Sequence, residues 1–238
     1  PLLAAQGFRV VAWDQRGHGD SDMAALYTWE ADMRDAAHVI ESLQTRDPIP
    51  VLGHSKGGGM MNQLAEVLPH RVGAVINLDG IPNQRGFSNQ IDRSDVNALA
   101  AELSGWLDHR RRAGQMNRRA DTIEGLAERR QLMNPRLSKE WLQYLVTVGA
   151  RCDDDGWRWK IDPTMRFGPS GAWRPEWAIP RLRGLRVPYL GVIGTVKEEM
   201  GWGTTPEEAF PILPAGAEFH ALADTCLLYT SDAADDLT

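Results

Sequence analysis

The sequence predicts an α/β protein, a mostly parallel sheet wrapped by helices. Three observations carry that expectation. Short apolar runs of strand length recur at Ile49–Leu52, Ala74–Asp79, Val187–Ile193 and Ala217–Leu222; stretches of helical period lie between several of them; and the links are short. Within the 238 residues there is no internal repeat.

Taken in order, Pro1-Leu2-Leu3-Ala4-Ala5-Gln6-Gly7 reads as the end of a helix and Phe8-Arg9-Val10-Val11-Ala12-Trp13 as a buried strand. From Trp29 to Gln44, Met33, Ala36, Ala37, Ile40 and Leu43 recur at the spacing of one buried helical face. Ile49-Pro50-Val51-Leu52 is a strand, followed after five residues by a helix from Gly58 to Leu68. Ala74-Val75-Ile76-Asn77-Leu78-Asp79, stopped by Gly80, is the next parallel strand. Between Arg85 and Arg183 the pattern turns helical and rich in Arg and Trp, with no apolar run of strand length. Val187 to Ile193 resumes the strands, Thr205-Pro206-Glu207-Glu208 starts a capped helix, and Ala217 to Leu222 is the last strand.

The five residues joining the Ile49 strand to its helix are Gly53-His54-Ser55-Lys56-Gly57. Strand, sharp turn and helix is the context in which G-x-S-x-G becomes a nucleophile elbow, with glycines where the turn is too tight for side chains and the serine hydroxyl projecting from the sheet. A serine hydroxyl alone is a weak nucleophile. It needs a base, a buried acid, and N–H groups aimed at the developing oxyanion, one of which the main chain of Lys56 would supply. Chance alone yields roughly a tenth of a match in a chain this rich in glycine, so the flanks decide. Upstream, Asp14-Gln15-Arg16-Gly17-His18-Gly19-Asp20-Ser21-Asp22 resembles the D-x-R-G-x-G-x-S turn of the α/β-hydrolase superfamily, and its spacing to Ser55 is also that family's.

That resemblance implies an α/β-hydrolase sheet with helices on both faces and an inserted helical cap. Residues 1–84 and 184–225 would form the core and 85–183 the cap that roofs the nucleophile. Of Trp106, Trp141, Trp157, Trp159, Trp173 and Trp177, most would pack the cap and one or two would line the pocket. Ser55 would be the nucleophile. The acid would follow the Val187 strand, where Gly194-Thr195-Val196-Lys197-Glu198-Glu199 offers Glu198 and then Glu199; Asp79, at the end of the preceding strand, is the alternative position that some relatives use. Set against these roles, Asp79 could simply cap its loop and Glu198 start a solvated helix.

The base is harder to place. The family's histidine follows the last core strand, and His220 lies inside that strand, which points it to a sheet face. The expected base is therefore absent, with His220 as the internal candidate. His18 and His54 are more often structural in this family, and His38, His70 and His109 read as surface or core residues. The ends fit this picture. The family's opening strand and His-Gly loop, source of the second oxyanion donor, would precede Pro1, and the stretch from Cys226 to Thr238 resembles a translated sequencing adapter, with 226–238 a non-native tail. On that reading the chain as it stands turns over little substrate.

The leading expectation is a serine hydrolase cleaving an ester or related acyl bond of a small molecule through an acyl-enzyme on Ser55. A weakly catalytic small-molecule receptor on the same fold, or a C–C hydrolase or acyltransferase, is the alternative. A serine at the elbow argues against the haloalkane dehalogenases and epoxide hydrolases, which carry Asp there. No cofactor is expected, and no His, Cys or acid spacing matches a metal site; Asp153-Asp154-Asp155 reads as an exposed turn. The net charge is −6, and Arg110-Arg111-Arg112, Arg118-Arg119 and Arg129-Arg130 alternate with acids along helix, which argues for a solvated face and against nucleic acid. No apolar run approaches the roughly 20 residues of a membrane span. Two cysteines fit a reducing, cytoplasmic setting, although a signal peptide could precede Pro1.

Overall fold

The computed structural model describes residues 2–82, 96–113, 115, 120–135, 137–165, 175–196 and 204–223. Glu198, Glu199, Trp173, Arg118, Arg119 and the 226–238 tail lie outside them. In chain order the elements are α1 (Leu2–Ala5), α2 (Trp29–Ser42), β1 (Ile49–His54), α3 (Lys56–Val67), β2 (Val72–Leu78), α4 (Val96–Ala113), α5 (Ile123–Met133), α6 (Lys139–Gly149), β3 (Ala150–Asp153), β4 (Gly156–Trp159), α7 (Pro175–Arg183), β5 (Tyr189–Gly194), α8 (Pro206–Ala209) and β6 (Glu218–Leu222). The described residues fall into two compact units, one from Pro1–Tyr27 and Leu107–Arg166, the other from Thr28–Trp106 and Phe167–Asp232.

The second unit is built on a four-stranded sheet in the order β1-β2-β5-β6, parallel throughout. Helix α3 packs on β1 and β2 and is flanked by α2 and α7. Helix α2 begins where Thr28 caps it, its hydroxyl accepting from the Ala31 N–H, and it buries Trp29, Asp32, Ala36 and Ile40 on one face. Val51, Met60, Leu64, Val72, Val75, Tyr189 and Ile193 form the core between helices and sheet. Full burial of a side chain such as Leu64 is worth about 1.5–3 kcal/mol. Helix α8 starts with a capping box between Thr205 and Glu208, with Pro206 in its first turn, as its sequence predicts.

The first unit has its own small core, in which Leu126 and Ala127 of α5, Leu142 and Val146 of α6 and Ala150 of β3 are covered by Trp157 and Trp159. Those tryptophans belong to an antiparallel hairpin, β3 with β4, that the sequence reading of a wholly helical block misses. Ala150-Arg151-Cys152-Asp153 alternates over only four residues and holds no β-branched or aromatic side chain. The hairpin rests instead on its turn, where the Arg158 guanidinium holds Asp153 and Asp155, and on the indoles it lays over the helices. Trp141 and Trp177 depart from the expected packing role: both are about half exposed, and Trp141 meets Tyr144 edge to face.

The Phe8–Trp13 strand does not form. The segment makes no ladder, and Phe8, Val10 and Val11 are 60%, 53% and 43% exposed. A β-branched run becomes a strand only when another strand pairs with it, and none does here among the described residues. The Arg16-Gly17-His18-Gly19 turn is instead fixed to residues 160–162. His18 bridges to Ile161, the Gly19 N–H donates to Lys160 O at 2.7 Å, and the Asp162 N–H donates to Gly17 O at 2.7 Å. Gly17 has φ +74°, and a Cβ there would fall 2.5 Å from the Tyr27 hydroxyl. Tyr27 is buried and donates to Asp162; burial first, then that hydrogen bond, push its phenol up to about 12. Arg110 lies over its ring and bonds to the carbonyl of Ala25, so this member of the Arg cluster is not a free solvated charge.

Candidate active site

Strand β1 delivers Ser55 directly into α3. The ladder runs to His54 opposite Leu78 and ends with the Ser55 N–H donating to Leu78 O at 2.8 Å. Ser55 then takes φ +49° and ψ −117°, a combination that costs a non-glycine residue about 1–3 kcal/mol and persists only where the surroundings enforce it. The next residue, Lys56, opens α3, a helix of 12 residues, so its N–H is one of the donors that a helix start leaves without an intrahelical partner.

The glycines around the serine serve different ends. A Cβ on Gly53 would lie 2.2 Å from Gly57 O, so the backbone itself forbids a side chain there. A Cβ on Gly57 would meet nothing within 4 Å, which corrects the expectation that both motif glycines relieve the turn. The second sterically required glycine lies just past the motif at Gly58, where a Cβ would fall 2.5 Å from Asn77 Oδ1.

Asp79 follows β2, the strand beside β1. It has φ +54°, its N–H donates to Val192 O at 2.7 Å, and the adjoining Gly80 presses on the elbow, since a Cβ there would lie 2.3 Å from Ser55 O. The structure thus brings the Asp79 turn and Ser55 together at the ends of neighbouring strands. It does not bring His220 to them. The row His54, Leu78, Val192, His220 crosses all four strands, which sets His220 three strand spacings, about 14 Å, from β1, and its side chain is exposed. His70 precedes β2 at the opposite end of the sheet, and His38 is exposed on α2. His54 adjoins Ser55 in sequence, and burial lowers the pKa of its imidazole below the usual 6.5. In the other unit, His18 Nδ1 lies 3.2 Å from Arg16 O.

Two further features at the elbow escape a reading of the sequence. Lys56 Nζ meets Asp32 Oδ2 of α2 at 2.8 Å, with the Asp32 side chain only 3% exposed and that of Lys56 25%. Asn77, wholly buried in β2, donates through Nδ2 to Asn62 Oδ1 at 3.2 Å and accepts the Gly80 N–H at 2.8 Å. A carboxamide in the otherwise apolar run Val75-Ile76-Asn77-Leu78 is the one signal that could have marked it. No helix among the described residues is long and apolar enough to cross a membrane.

A parallel sheet whose strand ends in a strained serine and passes at once into a helix defines the nucleophile-elbow class of α/β proteins. A family model described as the alpha/beta hydrolase fold matches residues 1–159, and the chain belongs to that family. It is 34% identical over 83 residues to a non-heme chloroperoxidase of Streptomyces lividans, covering 34% of this chain and 30% of that protein. It is 26% identical over 227 residues to a serine hydrolase-like protein of Dictyostelium discoideum, covering 89% of this chain and 56% of the relative. The match therefore spans less than a third of the length of the first relative and about half that of the second. Among solved structures it is similar to the thioesterase domain from the curacin biosynthetic pathway, with a TM-score of 0.74 at 22% identity, covering 93% of this chain and 77% of that one.

Proposed function

We propose that this protein is a serine hydrolase that cleaves an ester or related acyl bond of a small molecule through an acyl-enzyme on Ser55. The observation that carries the reading is the Ser55 backbone, held at φ +49° between β1 and α3. On this reading the hydroxyl would stand clear of the sheet with the Lys56 N–H beside it as an oxyanion donor. Asp79 is proposed as the acid in preference to Glu198, because it ends the strand next to β1 and its turn abuts the serine backbone. Residues 85–183 are proposed as the cap that shapes the substrate pocket. The likeness over 227 residues to a protein named serine hydrolase-like supports the same class.

In the reaction, Ser55 Oγ would attack the acyl carbon while a histidine takes its proton. The tetrahedral oxyanion would be met by the Lys56 amide, the alcohol would leave with the proton, and water would release the acyl group by the reverse path. A fluorophosphonate probe on the full-length protein tests the assignment. Rapid labelling that Ser55→Ala abolishes, with p-nitrophenyl acetate turnover down by at least about a thousand-fold, is the expected result. Labelling of Ser55→Ala at the original rate would remove Ser55 from the mechanism.

A further inference from the structure

Asn77 is a polar anomaly in a sheet interior. Strands of a parallel sheet are covered on both faces and read as apolar runs, yet this carboxamide has no exposure at all. A buried amide is tolerated only when its groups are bonded, so its partners are informative. They lie on the two sides of the proposed site. Oδ1 accepts from Gly80, the residue after Asp79, and Nδ2 donates to Asn62 of α3, the helix that Ser55 starts. The space it fills is cleared by two glycines, for a Cβ at Gly58 would come within 2.5 Å of Oδ1 and one at Gly80 within 2.8 Å. Gly80 in turn touches the Ser55 carbonyl. The Tyr189 hydroxyl, buried on β5, lies against Asn62 and Asn77 without a hydrogen bond of good geometry to either; burial pushes its phenol up while the two amides draw it down.

We propose that Asn77 is a positioning residue, whose carboxamide clamps the Asp79-Gly80 turn to the first turns of α3 and so sets the placement of the acid relative to Ser55. The inference rests on the reading of Ser55 and Asp79 given above. The clamp acts on geometry alone. Asp79 sits at φ +54°, in the left-handed region that aspartate enters more readily than most residues, and the Gly80 N–H that follows it is held by the Asn77 carboxamide.

The test is a double-variant cycle in the full-length protein with p-nitrophenyl acetate: Asn77→Leu, Asp79→Asn, both together, and Ser55→Ala. Leucine keeps the branched outline of the carboxamide, at a somewhat larger volume, and suits the apolar strand. Asn77→Leu is expected to lower kcat about 10- to 100-fold with KM within about two-fold, and to lower it no further in the Asp79→Asn background. Asn62→Leu, which removes one partner from the helix side, should lower kcat in the same direction by less, and decides the matter if Asn77→Leu does not fold. Unchanged kcat, a change confined to KM, or a full additional loss in the Asp79→Asn background overturns the proposal. Should Ser55→Ala and Asp79→Asn both be inactive while the Asn77 and Asn62 variants match the parent, this inference alone is lost. Should Ser55→Ala or Asp79→Asn retain parental turnover, the reading beneath it falls as well.

Discussion

A methyl group added to either glycine of the Gly53-His54-Ser55-Lys56-Gly57 motif should act in opposite directions. In Gly53→Ala the new carbon would sit 2.2 Å from Gly57 O and 2.3 Å from Gly57 C, whereas an ordinary contact begins near 3.4 Å. The strand end and the first turn of α3 must therefore separate by about 1.2 Å. Overpacking of this kind costs about 1–3 kcal/mol, which for a chain of this size lowers Tm by about 2–12 °C. A 1 Å displacement at a reacting group costs about a hundred-fold in rate, so turnover should fall at least that far. Gly57→Ala meets no atom within 4 Å and replaces glycine inside a helix, where alanine is favoured by about 0.5–1 kcal/mol, so Tm should rise by about 1–4 °C. Thermal denaturation of both variants, read on the transition of the unit that contains the sheet, with p-nitrophenyl acetate turnover for Gly53→Ala, provides the assay. Parental stability and turnover in Gly53→Ala, or equal destabilisation in both variants, would refute the account of the elbow as a backbone-to-backbone contact.

Two other predictions concern charge around the same turn. Lys56→Met leaves the buried Asp32 carboxylate without its ammonium partner; because the lysine end is one-quarter exposed, the loss should be about 1–3 kcal/mol in urea denaturation, below the range for a fully buried pair, and adding Asp32→Leu should recover most of it. The His54 imidazole has its pKa lowered by burial, so the unfolded chain binds its proton more readily; stability present above pH 6.5 should drain away as pH falls below that value, and His54→Gln should flatten this part of the profile, whereas an unchanged slope would exclude His54 as its source.

The elements that were legible in the sequence owe it to local causes. Helix α2 follows from the one-sided spacing of residues such as Ala36 and Ile40, and β1, β2 and β5 follow from apolar runs that a covered parallel sheet requires. The elbow was legible because a strand-to-helix turn this tight leaves a glycine signature. What escaped depends on partners distant in sequence. Phe8 to Trp13 has strand composition without a pairing strand among the described residues, while Arg151 and Cys152 lack strand composition and pair all the same, with Trp157 and Trp159 laid over α5 and α6. At the site, the motif marks Ser55 as a candidate, but that Asp79 ends the strand beside β1, and so supports its proposal as the acid, is a matter of sheet order that spacing along the chain does not encode. The Asp32 and Asn77 contacts were illegible for the same reason, since each joins residues from separate elements.

The fastening of the Arg16-Gly17-His18-Gly19 turn to residues 160–162 imposes a schedule on synthesis. Tyr27 and Asp162 are 135 residues apart, and Asp20 meets Lys160 across 140. At about 5–20 residues per second, Tyr27 leaves the ribosome roughly 7–27 s before its partner does. Over the same interval β1, α3 and β2, which pair and pack with one another within residues 49–78, can come together, while β2 still awaits β5 on its other edge. The nascent chain can therefore form the strand-to-helix turn at Ser55 while residues 1–27 wait for their partners, and a nascent-chain protease assay should find cleavage concentrated in that segment until residue 162 has emerged.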